Sequence, residues 1–130
     1  SDLKIALFSV PGAYTPTCHA KHLPGFVAKA SDIKAKGVDA IAVTAVNDIF
    51  TLDHWLKDSG ADAKIDGLAD GSAVFVKAAG LDLDLTEFGL GVRGKRFSAI
   101  VNDGVVDWIN VEENSSVATV SSAETTLEKL

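Results

Sequence analysis

The chain has 130 residues, 47% of them apolar, and a formal net charge of −6, which suits one domain with a single buried core. That acidic balance argues against nucleic acid or an anionic membrane as partner, since each requires a basic face, and the apolar runs are far shorter than a bilayer span. One cysteine leaves no thiol for a disulfide or a multi-cysteine zinc cage within these residues, and with no basic-then-apolar leader a cytoplasmic or organelle-matrix protein is expected.

Lys4 to Val10 is apolar on both faces, the pattern of a central strand. It gives way to Pro11-Gly12-Ala13-Tyr14-Thr15-Pro16-Thr17-Cys18, where two prolines and a glycine pre-shape a tight connection. His19-Ala20-Lys21-His22-Leu23 reads as helix. Cys18 therefore falls in a first turn, where free N–H groups and the helix dipole favour negative charge. From Leu23 to Lys36, Phe26, Ala30 and Ile33 recur at helical spacing, Pro24 is expected to bend the helix, and Gly37 closes it. Val38 to Val46 is a second buried strand. Asn47-Asp48 then caps a helix with Ile49, Leu52 and Leu56 on one face.

Between Gly60 and Ala69 the pattern is ambiguous, with one short strand at Ile65 to Leu68, and Gly71 to Ala79 reads as a short helix. Gly80 to Gly94 reads as glycine-dotted loop. Residues 97–102 alternate with strand periodicity, Asn102-Asp103-Gly104 is a hairpin turn, and Val105 to Val111 returns as the partner strand. Ser121-Ser122-Ala123-Glu124 is a capping box opening a last helix with Ala123, Leu127 and Leu130 inward. This order predicts an α/β chain of the thioredoxin-like type, a central mixed sheet flanked by helices, as one domain over residues 1–130.

A lone cysteine is more often an inert buried residue than a nucleophile. The Pro/Thr loop at a strand-to-helix junction sets Cys18 apart. Cys18, His19 and His22 could suggest a metal site, but ligands from one short turn without an acidic neighbour make a poor cage, and no metal or other cofactor is expected. Gly89 to Gly94 fits G-x-G-x-x-G, and Gly89 to Lys95 fits a phosphate loop up to Arg96. Both motifs need a strand before and a helix after, whereas loop precedes and strand follows here. Asn114-Ser115-Ser116 is a glycosylation sequon without an export signal. Glu128-Lys129-Leu130 lacks the small first residue of a peroxisomal address.

Pro11-x-x-x-Thr15-x-x-Cys18 resembles the peroxiredoxin active-site motif, and Val10 to Cys18 followed by His22-Leu23-Pro24-Gly25-Phe26 is similar to the type II, peroxiredoxin-5-like, subfamily. Val46-Asn47-Asp48, Gly89-Leu90-Gly91-Val92, Lys95-Arg96-Phe97 and Ser121-Ser122-Ala123-Glu124 agree with it. Three departures stand out. Family members carry an extra strand and loop ahead of a first strand that here opens the chain. Where type II members often hold a resolving cysteine, this chain has Val43 and the stretch Asn114 to Val120. Tyr14 replaces the usual phenylalanine.

The resemblance implies a thiol peroxidase acting on hydrogen peroxide and alkyl hydroperoxides. Cys18 would be the nucleophile, Arg96 the cation beside its sulfur, Thr15 the hydroxyl that handles the peroxide proton, and Pro11 the wall against water. With one cysteine, the oxidised sulfur would be recycled by an outside thiol, glutathione with or without glutaredoxin, or thioredoxin. Type II relatives dimerise through loops around the site, so Phe50, Trp55 and Phe88 are candidates for a homodimer interface or for core. The competing readings are a redox-sensing or protein-binding module of the same fold, and a thiol transferase, which the lack of a Cys-x-x-Cys or Cys-x-x-Ser run disfavours.

Physical chemistry makes those residue types necessary. The thiolate is the nucleophile, and an ordinary cysteine is mostly thiol at neutral pH. A helix terminus contributes only about 0.3–1 kcal/mol towards ionisation, whereas a close cation can move a pKa by roughly 1–3 units. A thiolate alone still reacts slowly with peroxide. The remaining acceleration requires donors aimed at the charge growing on the two oxygens.

Overall fold

The computed structural model describes residues 3–130. Strand β1 (Lys4–Ser9) leads through the Pro11 to Thr17 loop into a π-helical turn over Cys18–His22, continued by helix α1 (Leu23–Ala35). The Leu23 N–H bonds back to the Cys18 carbonyl, five residues earlier. At Pro24, where the sequence predicts a bend, the helix carries a π-helical irregularity in the turn just before the proline. Pro24 cannot donate to the carbonyls of that preceding turn, and the wide turn is where the helix takes up the missing bond.

Strand β2 (Ala40–Ala45), helix α2 (Ile49–Asp58) and strand β3 (Asp66–Ala69) follow. Asp48 caps α2 by accepting from Thr51 N–H at 2.7 Å. The buried face of α2 is Leu52, Trp55 and Leu56. Ile49, expected on that face, is 64% exposed at the first position of the helix, while Trp55 joins Leu52 and Leu56 in the buried set. A short helix α3 (Val74–Ala78) comes next.

Residues 80–94 depart from the expected loop. They form β4 (Asp82–Leu85), a single 3-10 turn at Thr86–Phe88, and β5 (Gly91–Gly94), paired antiparallel with Leu83 opposite Arg93. The alternation Asp82-Leu83-Asp84-Leu85 is strand-like, and the flanking glycines hide it. Strands β6 (Phe97–Asn102) and β7 (Val105–Val111) make the expected hairpin, with Asp103 and Gly104 both at positive φ (51° and 80°) as a tight primed turn demands. Helix α4 (Ala123–Glu128) closes the chain. Its cap is Ser122, which accepts from Thr125 N–H at 3.2 Å, one residue later than the capping box predicted, since Ser121 is buried in another hydrogen-bond set.

The main sheet runs β3-β2-β1-β6-β7, with β1, β2 and β3 parallel and β6 and β7 antiparallel to their neighbours. β1 is central, which accounts for its apolar character on both faces. Ala6, Phe8 and Val10 pack in one buried cluster with Leu23, Phe26 and Ile33 of the first helix and with Leu52, Trp55 and Ala123. Phe8 and Phe26 stack with ring centroids 4.1 Å apart. Each such side chain contributes about 1.5–3 kcal/mol by leaving water. The α/β arrangement around a central mixed sheet is thioredoxin-like, as the element order predicted.

Candidate active site

The sheet register assembles the site. Ser9, the last residue of β1, sits opposite Thr44 of β2 on one side and Phe97 of β6 on the other. The loop leaving β1 is therefore flanked by the end of β2 and the start of β6, which brings Arg96 to Cys18 across 78 residues of sequence. On the β2 side, Ala13 N–H donates to Asn47 Oδ1 at 2.9 Å. Beside Asn47, Arg93 donates from Nε to the Leu90 carbonyl (2.8 Å) and from Nη1 to the Val46 carbonyl (3.0 Å).

Cys18 is fully buried, as is Arg96 at 1% exposure. Arg96 Nη2 donates to Cys18 Sγ at 3.0 Å, its Nε donates to the Ser115 carbonyl at 3.0 Å, and its Nη1 lies 2.8 Å from His22 Nδ1. A guanidinium can only donate. His22 Nδ1 must therefore accept, which leaves the ring proton on Nε2, donated to the Ser121 carbonyl at 2.8 Å. Burial first, and the Arg96 charge second, push the His22 pKa down to about 3. The ring is a neutral prop for Arg96 throughout the physiological range.

Thr15 Oγ1 lies 2.6 Å from the Gly12 carbonyl and 3.0 Å from Cys18 Sγ. It has one proton for two neighbours, and the carbonyl can only accept. The hydroxyl can thus turn its proton to the sulfur or to the loop backbone, and its lone pairs face whatever enters. Pro11 is buried at the base of the loop.

Of the four residues singled out from sequence, Cys18, Thr15 and Arg96 are joined by direct hydrogen bonds, and Pro11 begins the loop that carries two of them. His19 and His22 go to different partners: Trp55 Nε1 donates to His19 Nδ1 at 3.1 Å, while His22 meets Arg96. Among the described residues no three His, Cys, Asp or Glu side chains gather as a metal set. The glycine-rich run at Gly89 passes into β5 and β6, with no helix to receive a phosphate. An open apolar groove of about 620 Å³ on the other sheet face, bordered by Leu7, Ala99 and Ile109, includes none of the site residues.

Sequence reasoning missed several supports. His22 follows Cys18 by four residues, and that spacing places both on one helical face. Asn47 read as a helix cap and as part of the family's Val46-Asn47-Asp48 run, not as a support of the loop. Glu112 is 5% exposed, and nothing local marks it as buried. Burial opposes its ionisation, but hydrogen bonds from Ser121 and Thr119 hold its carboxyl below the usual value.

A family model described as Redoxin matches residues 1–127. The chain belongs to the peroxiredoxin family. It is 46% identical over 129 residues to the chloroplastic Peroxiredoxin-2E of Arabidopsis thaliana, with 98% of this chain aligned to 55% of that one. It is 45% identical over 127 residues to Peroxiredoxin-2C of Oryza sativa subsp. japonica, covering 98% of this chain and 78% of the relative. The chain thus spans little more than half of the first relative's length. Among solved structures, reduced Prx3 of Vibrio vulnificus in complex with hydrogen peroxide aligns with a TM-score of 0.93 and 48% identity, over 98% of this chain and 82% of that one. This peroxiredoxin chain therefore shares fold and family with proteins whose names match its loop motif. Among its described residues, no helix is long and apolar enough to cross a membrane.

Proposed function

We propose that this peroxiredoxin domain is a thiol-dependent peroxidase that reduces hydrogen peroxide and alkyl hydroperoxides through Cys18. The observation that carries the reading is the pairing of one buried sulfur with a buried guanidinium at 3.0 Å and a hydroxyl at 3.0 Å. Hydrogen peroxide is the simplest substrate, and the Vibrio vulnificus relative was solved with it bound.

The Cys18 thiolate attacks one peroxide oxygen, forming an S–O bond as the O–O bond breaks. The electron pair leaves on the second oxygen as hydroxide or alkoxide, which takes a proton to become water or alcohol. Cys18 ends as sulfenic acid. Arg96 stabilises the sulfur before attack and the departing oxygen during it. The Thr15 hydroxyl accepts from the peroxide O–H and donates to sulfur in turn. Pro11 keeps bulk water from the sulfur.

With one cysteine in these 130 residues, the sulfenic acid is recycled by an outside thiol. The first thiol condenses with it to a mixed disulfide and water, and a second releases Cys18 as thiol. We assign that role to glutathione, with or without glutaredoxin, or to thioredoxin. The domain spans residues 1–130, works as a homodimer, and acts in the cytoplasm or an organelle matrix.

The test is peroxide consumption with each reductant, together with mass spectrometry after one peroxide equivalent and glutathione. Cys18→Ser is expected to abolish consumption, and a glutathione adduct on Cys18 is expected in the parent. Undiminished consumption by Cys18→Ser would overturn the assignment. No adduct, with turnover persisting on thioredoxin, would remove glutathione alone.

A further inference from the structure

Glu112 takes no part in the chemistry above, yet it is a buried acid with a full set of partners. Its Oε2 accepts from Thr119 N–H (2.7 Å), Ser121 N–H (2.8 Å) and Ser121 Oγ (2.7 Å), and its Oε1 accepts from Thr119 Oγ1 (3.2 Å). Its own N–H donates to the Arg96 carbonyl at 2.9 Å. These bonds close residues 113–121 into a strap pinned at both ends.

The strap is what faces the site. Its Ser115 carbonyl accepts from Arg96 Nε. Its Ser121 carbonyl accepts from His22 Nε2 and from Ser98 Oγ. Its Ser116 carbonyl accepts from Thr17 Oγ1 at 2.7 Å, next to Cys18. The aim of Arg96 Nη2 at sulfur is fixed by where Nε and Nη1 are held, and both anchors lead back to the strap: Ser115 directly, Ser121 through His22.

We propose that Glu112 is a positioning residue for peroxide reduction, holding the strap so that the Ser115 and Ser121 carbonyls orient Arg96 and His22. This rests on the peroxidase reading above. Three donors converge on one Glu112 oxygen, and only a carboxylate or amide oxygen can serve them. Glutamine can place its oxygen there and turn its amide towards Thr119 Oγ1, so Glu112→Gln keeps the pattern. Alanine loses all of it.

The experiment is the single-turnover rate constant for Cys18 oxidation by hydrogen peroxide, measured well below each variant's melting temperature. The variants are Glu112→Ala, Glu112→Gln, Arg96→Ala and the double Glu112→Ala/Arg96→Ala. Glu112→Ala is expected to lose on the order of tenfold to a hundredfold, the usual consequence of a misplaced group. Glu112→Gln should recover most of the rate. In the Arg96→Ala background, Glu112→Ala should cost nothing further, because its effect passes through Arg96.

A Glu112→Ala rate equal to the parent's overturns the inference alone, as does an equal loss in both backgrounds, which would be a merely structural effect. A parent inert to peroxide overturns the proposed function and this inference with it. Should Glu112→Ala fail to fold, Ser121→Ala removes one of the four bonds and carries the same cycle. A several-fold loss confined to the Arg96 background is expected, and an unchanged rate overturns the inference.

Discussion

Arg96 spends its donors on three different acceptors: a carbonyl, a neutral imidazole and a sulfur. The first two hold the plane of the guanidinium; on the proposed function the third is then aimed before peroxide arrives, and little reorganisation remains for the transition state. The arrangement requires His22 to stay neutral, and that has a measurable consequence. Its pKa is pushed from 6.5 to about 3 in the folded chain, so below pH 6.5 the unfolded chain takes up a proton that the folded one refuses. A depressed folded value means that the full contribution is present above 6.5 and is lost as pH falls towards 3. The slope approaches about 1.4 kcal/mol per pH unit. Glu112, also held below its usual value of 4.5, acts lower on the scale, so the interval from 6.5 to 4.5 reports on His22. Glutamine can accept from Arg96 and donate to the Ser121 carbonyl without ever charging. Urea titrations should show the parent's unfolding free energy falling through that interval while His22→Gln stays nearly flat. Parallel slopes would mean that His22 is not held neutral.

At the scale of elements, the loop between β1 and the π-helical turn leans on neighbours from distant segments. Asn47 holds Ala13, and Arg93 of β5, bonded to Val46, lies against Gly12 of the loop that carries Thr15, so the β4–β5 hairpin braces that loop. Gly12 lies in the gap. A Cβ there would meet Thr15 Cγ2 at 3.0 Å and Arg93 Nη1 at 3.3 Å, with no positive φ to add backbone strain. Gly12→Ala should therefore displace the Thr15 side chain and slow peroxide reduction about tenfold, a fraction of what a 1 Å misplacement can cost. Its melting temperature should hardly change, because a loop alanine also restricts the unfolded chain. Equal peroxide kinetics in Gly12→Ala and parent would show that the Thr15 position is not critical. The hairpin that braces this loop is the element that sequence reasoning misread as loop. Its strands are four residues each, too short for alternation to outweigh four glycines. Elements with longer patterns, such as β1 and the β6–β7 hairpin, were legible because burial on one or both faces dictates their residues. The motif residues of the site could be read for the same reason that local geometry could: Thr15 and Cys18 share one loop. Arg96 needed the family resemblance, and its anchors at His22, Ser115 and Glu112 arise only when the register of β1 and β6 joins distant segments.

For the whole molecule, the question is what covers the rim of a site whose sulfur is fully buried. Phe50 is 82% exposed at the start of α2, and Phe88 is 73% exposed between β4 and β5. Trp55, the third aromatic that sequence left open between interface and core, is wholly buried and donates to His19, so it belongs to the core. The two exposed rings stand on elements tied to the catalytic loop, Phe50 through the adjoining Asn47 and Phe88 through the Leu90 carbonyl that holds Arg93. Rings of this size gain substantially by leaving water, and the proposed homodimer would bury them. On this account sedimentation velocity at micromolar concentration should give a dimer for the parent and a monomer for Phe50→Asp/Phe88→Asp. The double variant should still fold, since neither ring contributes to the core of the single chain, and its melting temperature should fall only by what association supplied, so that it no longer depends on protein concentration. A monomeric parent would remove the dimer from the proposed function, and a dimeric double variant would move the interface elsewhere on the surface. Because both rings stand on elements linked to the Thr15 loop through Asn47 and Arg93, loss of the dimer should also loosen that loop, so the monomeric variant should reduce peroxide more slowly than the parent.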